Sequence, residues 1–181
     1  MKIFVMRHGT TTWNEKEITQ GHSQNRLSNA GKKLVEEQAE KFKGKVDIIF
    51  SSPLMRTMQT ANIMNKKLKV KIIKDERLIE INQGIFTGRK KNSLTEEEKI
   101  IKKERSSKHG IESCQSVYNR IKDFLEYLKT FKFKSVLIVT HNVGASILEK
   151  ILNNNEIDFN YSQNFHSFDN AEIKEFEYKN I

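Results

Sequence analysis

Short apolar runs alternate along this chain with longer stretches whose apolar residues recur at helical spacing. The runs at 3–5, 46–50 and 135–139 are mostly hydrophobic and rich in Ile, Val and Phe, which is typical of strands buried on both faces. Another strand is predicted at about 70–74, and the alternation at 171–178 favours an edge strand. The intervals between the first four of these strands are long enough to hold helices.

Helix signals fill those intervals. Apolar residues recur every three or four positions over 28–42, where Ser28 is a candidate cap, and along a helix that begins at Ser52-Pro53. Further helices are predicted at 93–105, 111–128 and 143–152. Strands separated by helices pair in parallel, and the helices cover both faces of the sheet. We therefore predict an α/β three-layer sandwich with a mostly parallel central sheet, in one domain over residues 1–181.

Composition narrows the class of protein. With 181 residues, of which 36% are hydrophobic and 30% charged, the chain fits a folded globular protein of about one domain. Mean hydropathy is -0.65 and every apolar run is soon interrupted, so no membrane span is predicted, and the start MKIFVMRHG is charged too early for a secretory signal. The lone Cys114 cannot form an internal disulfide, which favours a cytoplasmic location.

The net charge of +9 raises the question of an anionic partner such as nucleic acid. Most of the basic residues are lysines scattered among glutamates on predicted helices, as on solvated surfaces. The lysines assigned to such surfaces are Lys32, Lys33, Lys66, Lys67, Lys102, Lys103 and Lys122. Because aromatic residues do not interleave with lysines along any one element, a nucleic-acid-binding module is the weaker alternative and no nucleic-acid partner is predicted.

Residues that can hold or attack a phosphate follow the predicted strands. Arg7 and His8 end the first strand, and Arg56 lies in the first turn of the helix after the second. Glu80 follows the third strand and His141 follows the fourth. Because the carboxyl ends of parallel strands meet at one edge of a sheet, we expect these side chains to converge. A cation in the first turn opposes the helix dipole unless an anion binds there, and the arginine fork suits a phosphate.

The order of these motifs resembles that of the histidine phosphatase superfamily, which contains metal-independent phosphatases and phosphoglycerate mutases. The segment RHGTTTWN at 7–14 is similar to the family's opening motif, and SSPLMRTMQT at 51–60 to its second arginine motif. Further matches, in chain order, are the segment from Gln20 to Gly31, Leu78-Ile79-Glu80 with Gly84 and Gly88, Gly110 to Ser113 with Arg120, and Thr140-His141. Asn142 and Arg26 depart from the usual Gly and Pro, but no reacting group is missing.

The resemblance implies phosphoryl transfer through a phosphohistidine. His8 would be the nucleophile, and Arg7 and Arg56 would bind the phosphoryl oxygens bidentately. His141 would be a further hydrogen-bond donor to the charge that develops. Glu80 would protonate the leaving oxygen and later deprotonate the attacking water. The nearby Glu76 is the alternative acid.

The matched motifs imply further substrate contacts at Thr11, Asn14, Gly21, His22 and Asn142. Asn14 would donate a hydrogen bond to the phosphoryl group. We expect no metal and no cofactor, because the five histidines lack close pairs such as His-x-His and the arginines would carry the charge. His109 and His166 are interpreted as surface or packing residues, and Cys114 as a core residue.

The predicted function is that of a phosphoric monoester hydrolase of the histidine acid phosphatase type, acting on a small phosphorylated metabolite. Phosphoglycerate mutase activity is the alternative within the family. Mutases carry a longer insertion over the site, whereas only twenty residues separate Arg89 from Gly110 here, which favours hydrolysis. The sequence leaves the substrate unidentified, and it leaves a homodimer open.

Overall fold

The computed structural model describes residues 1–104, 107–157, 159, 165 and 168–178, and in this part of the chain five strands form one sheet in the order β3-β2-β4-β1-β5. The strands are β1 (Lys2–Arg7), β2 (Ile48–Ser51), β3 (Lys71–Lys74), β4 (Ser135–Thr140) and β5 (Ile173–Glu177). β1 to β4 pair in parallel, and β5 pairs antiparallel with β1 at the edge. The mostly parallel sheet and its edge strand were both predicted from the sequence and are confirmed.

Six α-helices of the described residues surround this sheet. They are α1 (Thr12–Glu15), α2 (Asn29–Lys41), α3 (Met55–Leu68), α4 (Glu96–Glu104), α5 (Cys114–Lys129) and α6 (Asn142–Leu152). Short 3-10 turns lie at Glu76–Leu78, Gly84–Phe86, Lys91–Ser93 and Ser107–His109. Within the described residues, no helix is long and apolar enough to cross a membrane. The last residue of the predicted helix 93–105 and the predicted surface residue His166 lie outside the described residues.

Hydrophobic residues pack on both faces of the sheet, as the mostly apolar runs predict. Along β1, Ile3 and Val5 belong to a core cluster with α5 and α6, whereas Phe4 and Met6 belong to a second cluster with α2 and α3. The strand β4 alternates in the same way and is buried throughout. These two clusters make the three-layer arrangement, and Cys114 belongs to the first of them.

Two predicted helix starts differ from the structure. α3 begins at Met55 rather than at Ser52-Pro53, with Leu54 as an N-cap that has no side-chain hydrogen bond. The Ser52 hydroxyl lies 2.8 Å from a ring nitrogen of His141, so it serves the neighbouring strand end instead of capping the helix. α5 begins at Cys114 rather than at residue 111, because the Ser113 hydroxyl caps it.

The sheet register aligns the ends of its central strands. Arg7 of β1 is paired with Thr140 of β4, and Ser51 of β2 is paired with Val139. The residues that follow these three strands therefore leave the sheet at the same carboxyl edge. The convergence of predicted site residues rests on this alignment.

Gly31 has no side chain, and this allows α2 to pack closely against the loop that follows β1. A Cβ atom at this position would overlap the carbonyl oxygen of Thr10, although the site lies inside a helix where alanine is normally preferred by about 1 kcal/mol. We expect Gly31→Ala to lower the free energy of unfolding by about 1–3 kcal/mol, because backbone has to move to relieve the overlap. Urea denaturation would measure this. The exposed Lys32→Ala on the same helix should change stability by less than about 0.5 kcal/mol, and a stabilised Gly31→Ala would contradict the close approach.

Candidate active site

A cavity of about 730 Å³ lies at the carboxyl edge of the sheet. Seven of the ten residues predicted as catalytic or substrate-binding line it: Arg7, His8, Asn14, Gly21, Arg56, Glu80 and Asn142. Thr11, His22 and His141 lie outside this lining. The cavity size is typical of a site for a small metabolite rather than for a bare phosphate ion.

The His8 ring is held as a neutral base. Its Nδ1 lies 2.7 Å from the carbonyl oxygen of Gly9, which can only accept, so Nδ1 carries the proton and the lone pair is on Nε2. Burial, together with the positive charges of Arg56 and Arg7, holds the pKa of His8 well below its usual range near 6.5. The arrangement provides a nitrogen lone pair in a site rich in positive charge, as attack on a phosphate ester requires.

Arg56 is completely buried at the wall of the cavity. It donates to the carbonyl oxygens of Gly21 and Ser23, both at 2.8 Å, and from Nε to Nδ1 of His141 at 3.2 Å. These bonds use three of its five N–H groups, which leaves two for a ligand. Burial lowers the pKa of Arg56 to about 10, Glu80 acts in the opposite direction, and Arg7 lowers it further. The guanidinium thus remains charged at neutral pH. The sequence analysis expected a bound phosphate alone to compensate this cation, whereas backbone carbonyl oxygens provide part of the compensation.

Arg7 has a buried N–H group that is unused among the described residues. Its NH1 donates to the carbonyl oxygen of Phe168 at 2.7 Å, whereas its buried Nε has no hydrogen-bond partner among the described residues. Burial lowers the pKa of Arg7, opposed chiefly by the negative charge of Glu80. Because buried donors are nearly always satisfied, the free Nε beside the cavity points to a ligand oxygen.

His141 lies behind the cavity lining and is completely buried. Its Nδ1 accepts from Arg56, so the proton is on Nε2, which donates to the Ser52 hydroxyl at 2.8 Å. Its ring centre lies 5.2 Å from that of His8. Burial and the charge of Arg56 lower the pKa of His141 well below its usual range. Direct donation to a phosphoryl oxygen stays a prediction, and Ser52 is a contact that sequence reasoning missed.

Glu80 is one of two carboxylates in the cavity lining, with Glu17. One carboxylate oxygen accepts from the backbone N–H of Ile81 at 2.9 Å, and its backbone carbonyl accepts from Nε2 of His22 at 2.6 Å. The alternative acid, Glu76, is exposed and does not line the cavity. His22 therefore holds the backbone beside Glu80, and its predicted place among the substrate contacts is not supported by the lining.

Thr11 and Asn14 form a capping box at the start of α1. The Thr11 hydroxyl accepts from the backbone N–H of Asn14 at 3.0 Å, and Oδ1 of Asn14 accepts from the backbone N–H of Thr11 at 3.0 Å. Thr11 is fully buried, its hydroxyl belongs to the cap and it does not line the cavity, so its contact with a substrate stays a prediction. Asn14 lines the cavity, and the cap leaves its Nδ2 amino group as a donor for a ligand.

Lysines that the sequence analysis placed on solvated surfaces form part of the cavity. Lys102 and Lys103 line it, and so do Lys91 and Lys99. The charged, weakly amphipathic pattern of α4 did not indicate which face of the helix would line the cavity.

No group of three or more His, Cys, Asp or Glu side chains suited to a metal occurs among the described residues.

A neutral histidine shares this cavity at the carboxyl edge of a parallel sheet with two arginines, one of them completely buried, which is an arrangement suited to a phosphate ester. The chain belongs to the histidine phosphatase superfamily (branch 1), which matches residues 3–180. It is 32% identical over 151 residues to phosphoserine phosphatase 1 of Hydrogenobacter thermophilus, covering 79% of this chain and 72% of that one.

Two further comparisons show how far the likeness extends. The chain is 31% identical over 156 residues to a probable phosphoglycerate mutase GpmB of Escherichia coli O1:K1 / APEC, covering 82% of this chain and 73% of that one. The solved structure of YhfR from Bacillus stearothermophilus superposes with a TM-score of 0.85 at 22% identity, covering 98% and 91% of the two chains. This structural likeness shows the shared fold.

The protonation states of the two site histidines can be measured directly. We expect ¹⁵N chemical shifts to show His8 as the Nδ1–H tautomer and His141 as the Nε2–H tautomer, both neutral below pH 6.5, because their pKa values are lowered. The unfolded chain then binds more protons than the folded one, so the free energy of unfolding should fall as the pH drops below about 6.5. The His8→Gln variant should lose part of this dependence. An imidazolium at His8 at pH 6 would contradict the geometry.

Proposed function

We propose that this chain is a phosphoric monoester hydrolase of the histidine acid phosphatase type, which works through a phosphohistidine at His8 and uses no metal ion. One observation carries the proposal: Nδ1 of His8 is bonded to the Gly9 carbonyl, which leaves the Nε2 lone pair in a cavity shared with Arg7 and Arg56. A neutral nucleophile with cations around it is what attack on a phosphate dianion requires.

In the first step, the Nε2 lone pair of His8 forms a bond to phosphorus while the bond from phosphorus to the ester oxygen breaks. The carboxyl proton of Glu80 passes to the departing oxygen, which leaves as an alcohol. Arg7 and Arg56 bind the equatorial oxygens, where the two unused N–H groups of Arg56 and the unpaired Nε of Arg7 are available.

In the second step, a water oxygen forms a bond to phosphorus as the bond to Nε2 breaks. Glu80, now a carboxylate, takes the proton of the water, so both residues return to their starting state with inorganic phosphate as the second product. The segment between Arg89 and Gly110 is short, which leaves the intermediate open to water and favours hydrolysis over transfer to a second substrate.

The phosphohistidine can be trapped. Rapid quenching with ³²P-labelled aryl phosphate should give protein-bound label that is stable to base and labile to acid, and EDTA should leave turnover unchanged. We expect His8→Ala to lose the label. His109→Ala, at a histidine that does not line the cavity, is the matched control and should keep it. Label that survives in His8→Ala, or activity that returns only with added metal, would refute the mechanism.

The role of Glu80 can be tested by the basicity of the leaving group. An alkyl oxygen needs a proton as it leaves and a nitrophenol oxygen needs little help, so Glu80→Gln should slow the burst phase with alkyl phosphates by about 10²–10⁴-fold and with nitrophenyl phosphate much less. Glu76→Gln, at the exposed carboxylate outside the cavity, should leave both rates unchanged. Equal losses for both substrates in Glu80→Gln would assign Glu80 to positioning instead of proton transfer.

A further inference from the structure

Four lysines line the cavity along with the two arginines. Lys91 comes from the 3-10 turn at 91–93, and Lys99, Lys102 and Lys103 come from α4. We call these four residues the lysine wall. The three on α4 are spaced i, i+3 and i+4, so they share one face of the helix. The catalytic steps proposed above make no use of them.

The charges around the cavity do not balance with a single phosphate. Six cationic side chains line it, namely the lysine wall with Arg7 and Arg56, against two acidic ones, Glu17 and Glu80. The excess is four positive charges with Glu80 ionised and five with Glu80 protonated as the first step requires, and a phosphate monoester dianion neutralises only two of them. The remaining excess lies on point-charge ammonium groups, which suit any anion, whereas the arginine forks suit the phosphoryl group.

Packing fixes the lysine wall in place. Phe86, Leu94 and Ile111 form a small hydrophobic cluster with Ile101 of α4 packed against it. Arg89 holds Glu98 of α4 with two hydrogen bonds, at 2.8 Å and 3.1 Å.

The rim of the cavity is tied to the same segment. The backbone N–H of Lys91 donates to the Glu17 carbonyl at 3.0 Å, and Lys102 Nζ donates to the Thr19 hydroxyl at 3.1 Å. A helix held this way keeps like charges together beside the cavity. Glu96 pairs with Lys99 on the same helix at 2.6 Å, but both side chains are exposed, so this pair offsets little of the repulsion.

The geometry points to a substrate with two anionic ends: a phosphomonoester whose departing part carries a second anionic group, a carboxylate or another phosphate, bound by the lysine wall. This inference rests on the proposed function, since it describes the leaving group of that reaction. The lysine wall is then the part of the site that determines specificity. Because the lysine wall acts on substrate binding and not on the chemistry at phosphorus, changes to it should alter mainly KM.

Three propyl phosphates that differ only at the far end provide the test: 3-hydroxypropyl phosphate, 3-(phosphonooxy)propanoate and propane-1,3-diyl bisphosphate. We expect the two anionic substrates to exceed the neutral one by at least about tenfold in kcat/KM at low salt, from several partly exposed ion pairs acting together. The advantage should shrink at high ionic strength, because salt screens exposed charges. The relative rates of the carboxylate and the bisphosphate identify the second group.

The variant Lys99→Gln/Lys103→Gln removes two exposed members of the lysine wall without touching the core. It should lose most of the advantage of the anionic substrates through KM and keep kcat for 3-hydroxypropyl phosphate. The double variant Lys32→Gln/Lys122→Gln is the matched control, because it removes the same charge from exposed positions outside the cavity. It should retain the advantage.

The outcomes separate the two proposals. Equal kcat/KM for all three propyl phosphates in the unmodified protein, or the same advantage in both double variants, would overturn the inference while the hydrolase stands. No phosphate release from any of them, nor from nitrophenyl phosphate, would overturn the proposed function and the inference with it. An advantage lost only in Lys99→Gln/Lys103→Gln supports both.

Discussion

The buried guanidinium of Arg56 is the constraint on which the site depends. A cation removed from water is strongly destabilising unless hydrogen bonds and charges compensate it. Here the compensation comes from the carbonyl oxygens of Gly21 and Ser23 and from the ring of His141. The carbonyl of Gly21 belongs to a residue with φ of +48°, a backbone conformation that glycine adopts readily. One side chain thus sets the course of the loop after α1, the tautomer of His141 and the place where phosphate oxygens can bind.

The same positive charge acts on the proposed nucleophile. Burial, and after it the charges of Arg56 and Arg7, lowers the pKa of His8, so the ring proposed to attack is kept neutral in part by the residues proposed to bind the phosphate. This arrangement is unfavourable in the empty site, since two cations and two buried histidines share a small volume. A bound dianion relieves the repulsion between the two arginines. Because folding has already brought these cations together, relief of their repulsion adds to the free energy of substrate binding.

The convergence of most candidate site residues at one edge was predictable from sequence, because they directly follow a strand or open the next helix and parallel strands align their carboxyl ends. The register of Arg7 with Thr140 made the convergence certain once the sheet was parallel. Contacts between loops were not predictable. Two hydrogen bonds do not follow from the spacing of residues along the chain. His22 and the Glu80 carbonyl are 58 positions apart, and His141 and Ser52 are 89 positions apart. The role of Thr11 as a helix cap was missed for another reason: the sequence analysis assigned the segment 7–14 to substrate binding, and part of it also forms the start of α1.

The lysine wall, which we propose selects the substrate, is supported by different contacts from the groups proposed to react. The reacting groups are fixed by the two large core clusters that sandwich the sheet, whereas α4 is attached through the small cluster of Phe86, Leu94 and Ile111 and through the pair of Arg89 with Glu98. Changes on the exposed face of α4 can therefore alter charge at the cavity without disturbing the sheet edge. Since α4 buries none of its own residues fully, its sequence carries little constraint from packing. The sequence therefore indicates the proposed phosphoryl transfer more clearly than the proposed leaving group. The residues proposed for the transfer are positioned by the fold, whereas the lysines proposed to bind the leaving group have the same pattern as those of any solvated helix.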